Sequence, residues 1–108
     1  MRGRKASMLL RAPVSVRGIR LGEVEDVLLD AQGARILGLD VLCGDGSNRF
    51  LPFATALPAA AGIEIESALT LLDPHELQFY RSRGRTLASM PELADAVVGP
   101  DGALTARC

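Results

Sequence analysis

The chain has 108 residues, enough for one small domain, or one domain with an extension, around a single modest core. Nearly half the residues are hydrophobic, yet there is no Trp, one Tyr and only three Phe, so that core must be aliphatic. The net charge of −1 excludes a surface that is basic throughout, as a general nucleic-acid binder would present.

No apolar run is long enough to span a bilayer, and the start lacks a signal peptide's continuous apolar region. Both features predict a cytoplasmic protein without stable membrane insertion. Cys43 sits in an apolar strand pattern and Cys108 is the last residue, a placement that makes neither a disulfide framework nor a zinc spacing.

In chain order, residues 1–7 read as a basic flexible arm carrying Arg2, Arg4 and Lys5. Residues 8–16 read as a first strand, with Met8, Leu10 and Val14 on one parity and Pro13 near an edge. Arg17-Gly18 supplies a turn. Residues 21–30 read as the second strand, but Val24 falls on one parity and Val27 and Leu29 on the other. Either both faces are partly covered, or a bulge near Glu25 and Asp26 switches the facing; a small, strongly curved sheet favours the bulge.

Ala31-Gln32-Gly33 makes a hairpin turn. The third strand, residues 35–43, puts Leu37, Leu39, Val41 and Cys43 on one face and Gly38 and Asp40 on the other. Gly44-Asp45-Gly46-Ser47 turns the chain again. Residues 49–53 form a short strand that Pro52 confines to an edge or a strand end. Residues 57–62 are a Pro/Ala connection. Residues 63–70 then alternate, with Ile63, Ile65 and Leu69 inward and Glu64, Glu66 and Thr70 outward.

At Asp73-Pro74-His75-Glu76 the pattern changes to an N-cap residue, proline at the first helical position, and glutamate at the capping-box position. This predicts a helix over 74–83 that ends at Gly84. Leu77 and Tyr80 should pack inward, with the arginines outside and near the C-terminus, where they suit the dipole.

The tail contains a possible internal repeat. Residues 92–103 (ELADAVVGPDGA) align without gaps on residues 23–34 (EVEDVLLDAQGA), matching Glu92 to Glu23, Asp95 to Asp26 and Gly102 to Gly33. A competing reading makes Ser89-Met90-Pro91-Glu92 a second capping box. Both hold if the helix is a single turn and residues 96–107 form a hairpin turning at Pro100-Asp101-Gly102. An incomplete copy cannot bury its own apolar face, so Val97, Val98 and Leu104 must cover the first unit or a second subunit. A homodimer with the tail at its interface is the expectation.

The residues Leu21-Gly22-Glu23-Val24-Glu25-Asp26-Val27, Asp30, Gly33, Leu37-Gly38-Leu39 and Phe50-Leu51-Pro52 occur in an order that resembles the PRC-barrel superfamily. The resemblance covers residues 8–72. It implies a mainly β fold: a small, strongly bent PRC-type β-barrel, followed here by a helix over 73–84 and a partial second repeat over 85–108. Members of that superfamily include the cytoplasmic domain of the photosynthetic reaction centre H subunit and the C-terminal domain of the ribosome maturation factor RimM. Their barrels dock onto other macromolecules and are not enzymes by themselves.

Chemistry has few candidates. Glu23 and Glu25, two apart on a strand, could approach a cation together, but no loop supplies the remaining oxygens of a hard-metal site. Turn-closing hydrogen bonds from Asp26 and Asp30 are the simpler role. His75 has no nucleophile or orienting carboxylate in a recognisable motif. No cofactor, metal site or catalytic residue is expected, and the chain is read as a non-enzyme. Arg81, Arg83 and Arg85 could contact anions or RNA phosphates, without base stacking, because aromatic residues do not interleave with them. The expected function is a protein-binding adaptor docking onto a larger complex. The alternative is an RNA-associated assembly or processing factor.

Overall fold

The longest strand organises the architecture seen in the computed structural model, which describes residues 5–59 and 62–105. The strands are β1 (Pro13–Val16), β2 (Ile19–Leu29), β3 (Ile36–Cys43), β4 (Asn48–Pro52), β5 (Leu57–Ala59), β6 (Gly62–Glu64), β7 (Arg85–Thr86), β8 (Val97–Val98) and β9 (Leu104–Thr105). One helix, α1, spans Pro74–Arg83. The main sheet runs β4-β3-β2-β1-β6-β5, and β7 pairs with the far end of β2. All its pairings are antiparallel except β1 with β6. The fold is mainly β, as expected. The expected barrel closure is not seen, because among the described residues β4 and β5 remain the two ends of an open sheet.

The bulge lies where the parity switch placed it. Val24 opposes Val41 and Asp26 opposes Asp40, so Glu25 is the extra residue, and Val24, Val27 and Leu29 all reach the core. A second irregularity sets Leu28 against Gly38 and Leu29 against Ile36, leaving Leu37 over. Ile36 therefore takes the core place expected of Leu37.

Three other strand expectations need correction. Over residues 8–16 only Pro13–Val16 is strand; Ala6–Leu9 form a 3-10 turn that buries Leu9 and leaves Met8 outside. Arg11, at φ 67°, breaks the extended chain between them. Over residues 63–70 the strand stops at Glu64. The Ser67 side chain accepts from the Leu69 backbone N–H and closes a 3-10 turn at Ala68–Thr70, which leaves Leu69 88% exposed. Within the expected connection, Leu57–Ala59 is a strand, hydrogen-bonded to β6.

The N-terminal arm is also corrected in its described part. The Ala6 N–H donates to the Ala96 carbonyl (2.9 Å), the Ser7 N–H to the Ala94 carbonyl (2.9 Å), and Ala6 is fully buried. Arg2 and Arg4 lie outside the described residues, as does Cys108.

The tail hairpin forms at the expected turn, where the Gly102 N–H donates to the Gly99 carbonyl. Its far end, towards residue 107, lies outside the described residues. The hairpin packs on its own chain: Val98 is fully buried in the main core, and Val97 and Leu104 are half-buried. The Ile36 N–H donates to the Gly102 carbonyl and the Leu104 N–H to the Ala34 carbonyl, both at 2.8 Å, which stitches the hairpin to the β2–β3 turn. Val98 is thus covered within the chain, while Val97 and Leu104 keep part of their surface outside. The expected capping box at Ser89 is absent. Ser89 closes one with Thr86 instead, and the turn Pro91–Leu93 has no side-chain cap.

Candidate functional site

Helix α1 builds the most structured polar cluster. Its start follows from sequence: the Asp73 carboxylate accepts from the His75 and Glu76 backbone N–H groups (2.9 and 3.1 Å), with Pro74 in the first turn. Its end follows from Gly84, where any Cβ would collide with the Leu29 carbonyl of β2. So fixed, the helix lies over the outer face of β2–β4. Leu77 is buried there with Leu28 and Phe50, and Tyr80 stacks on Phe50 with ring centroids 4.3 Å apart.

Beneath the helix lies Asp40, the one buried charged side chain among the described residues, with no solvent exposure. Arg81 donates to one carboxylate oxygen and Asn48 Nδ2 to the other (2.9 Å); Asn48 also donates to Glu25 (3.2 Å). Burial pushes the Asp40 pKa up, against the opposing pull of Asn48 and Arg81. The pair clasps helix to sheet.

The three arginines marked in the sequence therefore have different fates. Arg81 is committed to Asp40. Arg83 lies over the Phe79 ring, 4.5 Å from its centroid, with Phe79 half exposed. Arg85 donates from Nε to the Ala31 carbonyl at 2.9 Å. Aromatic residues do not interleave with the arginines in sequence, as expected, but helical spacing sets Phe79 beside Arg83 in space.

The aspartates serve the fold. Asp26 accepts from the Val27 and Ala88 N–H groups (2.8 and 3.3 Å) and Asp30 from Ala34 (2.8 Å). Asp45 accepts from both Ser47 donors, and Asp101 from Ala103 and Arg35; each carboxyl is held below its ordinary pKa, mainly by the Ser47 and Ala103 groups respectively. Asp95 pairs with Lys5 at 3.6 Å. Glu23 faces Arg20 at 3.7 Å, while the bulge sends Glu25 to Asn48, so the two glutamates are not a joint cation site. Among the described residues, no group of three or more His, Cys, Asp or Glu side chains could hold a metal. His75 is exposed on the first turn of α1. Cys43 is half-buried, and burial raises its thiol pKa.

Open surface lies elsewhere. A depression of about 180 Å³ beside β5 is lined by Ala54, Thr55, Leu57, Glu66 and Thr70, with the exposed Leu69 next in sequence to Thr70. Two more depressions, of about 300 and 240 Å³, adjoin along the β2 bulge and share Leu10 and Glu25 in their linings. Among the described residues no helix is long and apolar enough to cross a membrane. No protein-family model matches the chain, and no curated protein matches its sequence.

Proposed function

We propose that the chain is a non-catalytic interaction module of the PRC type, an adaptor that docks onto a larger protein assembly in the cytoplasm. The observation that carries this reading is how the side chains are spent. Every aspartate is engaged in a hydrogen bond or an ion pair, while Leu69, Ile19 and Met8 are largely exposed and Leu57 and Phe79 about half exposed. Two of them fall together, Leu57 lining a depression whose rim includes Thr70, the neighbour of Leu69, and such a local apolar feature suits a partner.

The β5 edge supports the same reading. It has one strand partner, β6, whereas the other end of the sheet, β4, is bridged at Phe50 by Leu72. The three residues of β5 include Pro58, which has no N–H to donate, so strand addition is blunted there, and what this face offers a partner is the exposed Leu57 with the depression it lines. Since the tail hairpin packs on its own chain, a homodimer would need a surface other than Val98. The PRC assignment draws support from the duties of its motif residues: Gly22 at the close approach of β2 to Leu42, Asp26 and Asp30 accepting from backbone, and Gly38 making room for Phe50.

RNA binding is kept as a second reading because Arg83 over the exposed Phe79 could stack on a base while Arg85 meets phosphate. A salt-dependent RNA mobility shift lost in Arg83→Ala/Arg85→Ala would favour it. Capture of a protein partner that is unchanged by ribonuclease would favour the adaptor.

A further inference from the structure

The flank of β2 is interrupted midway. β1 pairs with it as far as Glu23, the Arg11 and Ala12 backbones bond to Val24, and β7 begins only at Leu28. No strand covers residues 25–27 on this side, and the Asp26 carboxylate bridges the gap by accepting from the Val27 and Ala88 N–H groups. The two adjoining depressions lie along this interruption.

Their composition is one-sided. The lower part is floored by Leu10, Leu87, Ala88, Pro91 and Ala94, and its only charged lining residues are Glu25 and Asp26. The upper part adds Glu23 and Arg11. Glu25 and Asp26 have no cation partner among the described salt bridges. Arg11 is the single cation of the lining, and Arg20 offsets Glu23 from outside it. The volumes are small beside a typical cofactor pocket and suit individual side chains of an extended peptide.

We propose that this groove docks a basic peptide segment of a partner protein, with one apolar side chain on the Leu10–Ala94 floor and flanking Lys or Arg side chains against Glu23 and Glu25. Desolvating an apolar anchor supplies affinity, and the acidic rim selects against acidic segments. This inference rests on the adaptor reading and names the chemistry of its partner.

The test titrates two synthetic peptides, Lys-Arg-Leu-Leu-Arg-Lys and its charge-reversed counterpart Glu-Asp-Leu-Leu-Asp-Glu, into the full chain and follows backbone amide shifts. The expected result is saturable binding of the basic peptide alone, with shifts centred on Leu10, Glu25, Ala88 and Ala94. Glu23→Gln/Glu25→Gln, which keeps an oxygen for Asn48, should weaken binding on the order of tenfold, and Leu10→Asn by a similar factor. Shifts centred on α1 or β5, equal binding of both peptides, indifference to these variants, or no binding would overturn the proposal. Folding of each variant is checked by its own amide spectrum. Capture from the host by wild type and by Leu10→Asn separates the two claims. A partner held equally by both sinks the groove and leaves the adaptor reading standing, whereas no partner for wild type sinks the adaptor reading itself.

Discussion

Arg81, in the last turn of α1, donates to the fully buried carboxylate of Asp40 on β3, 41 residues away in sequence. A buried carboxylate is tolerable only while its charge is met, and here Arg81 and Asn48 meet it. Arg81→Leu should cost about 1–3 kcal/mol, below the penalty for a fully enclosed pair because the guanidinium side is partly solvated. Denaturant midpoints check the value.

The same pair predicts a pH signature. Burial raises the Asp40 pKa, so the native state keeps that proton to higher pH than the unfolded chain does. Its contribution to stability is present at acid pH and is lost as pH rises through the folded value. Arg81 holds that value down, so removing Arg81 raises it further and deepens the loss. Arg81→Leu should therefore lie closer to wild type at about pH 4 than at about pH 7. An equal deficit at both pH values would mean that Arg81 acts by packing alone.

Gly38 should tolerate no side chain. A Cβ there would lie 2.5 Å from the Phe50 ring and 2.6 Å from the Leu51 carbonyl. Gly38→Ala must displace Phe50, and with it the Tyr80 stack that seats α1. A loss of about 1–3 kcal/mol is expected, with a weakened near-ultraviolet signal from Tyr80.

The tail hairpin is part of the core. Val98→Ala should cost about 1.5–3 kcal/mol, from two deleted methyl-sized groups at about 0.8 kcal/mol each and the cavity they leave. Deleting residues 85–108 removes Leu87 and Val98 from the core and should give an unfolded or aggregated chain. A well-dispersed amide spectrum from the truncated protein would show that the hairpin is dispensable.

Local signals in the sequence carried a good part of this fold. The parity switch from Val24 to Val27 marked the bulge, and Asp73-Pro74 with Gly84 bounded α1, because each feature is decided by neighbouring residues. Where a side chain turned back on its own backbone, periodicity misled: Ile63 to Leu69 alternates smoothly, yet the strand stops at Glu64 and Ser67 caps a 3-10 turn that carries Leu69 outward. At Arg11 the break is a backbone conformation with no residue signature. The Asp40 site was hidden for another reason. Alternation correctly put Asp40 on the face opposite Leu39 and Val41, but it cannot say that a helix from residues 74–83 will cover that face. The pairing of Arg83 with Phe79 was readable from helical spacing, since residues four apart share one side.

Either the exposed apolar surface serves a protein or the arginines serve RNA. The direct measurement is affinity capture from the native host, with and without ribonuclease, at low and high salt. The adaptor reading predicts a protein partner that survives ribonuclease, its capture weakening at high salt only as far as the acidic groove contributes. Partners that vanish on ribonuclease treatment, and return only with intact RNA, would contradict it and move the function to Arg83, Arg85 and Phe79.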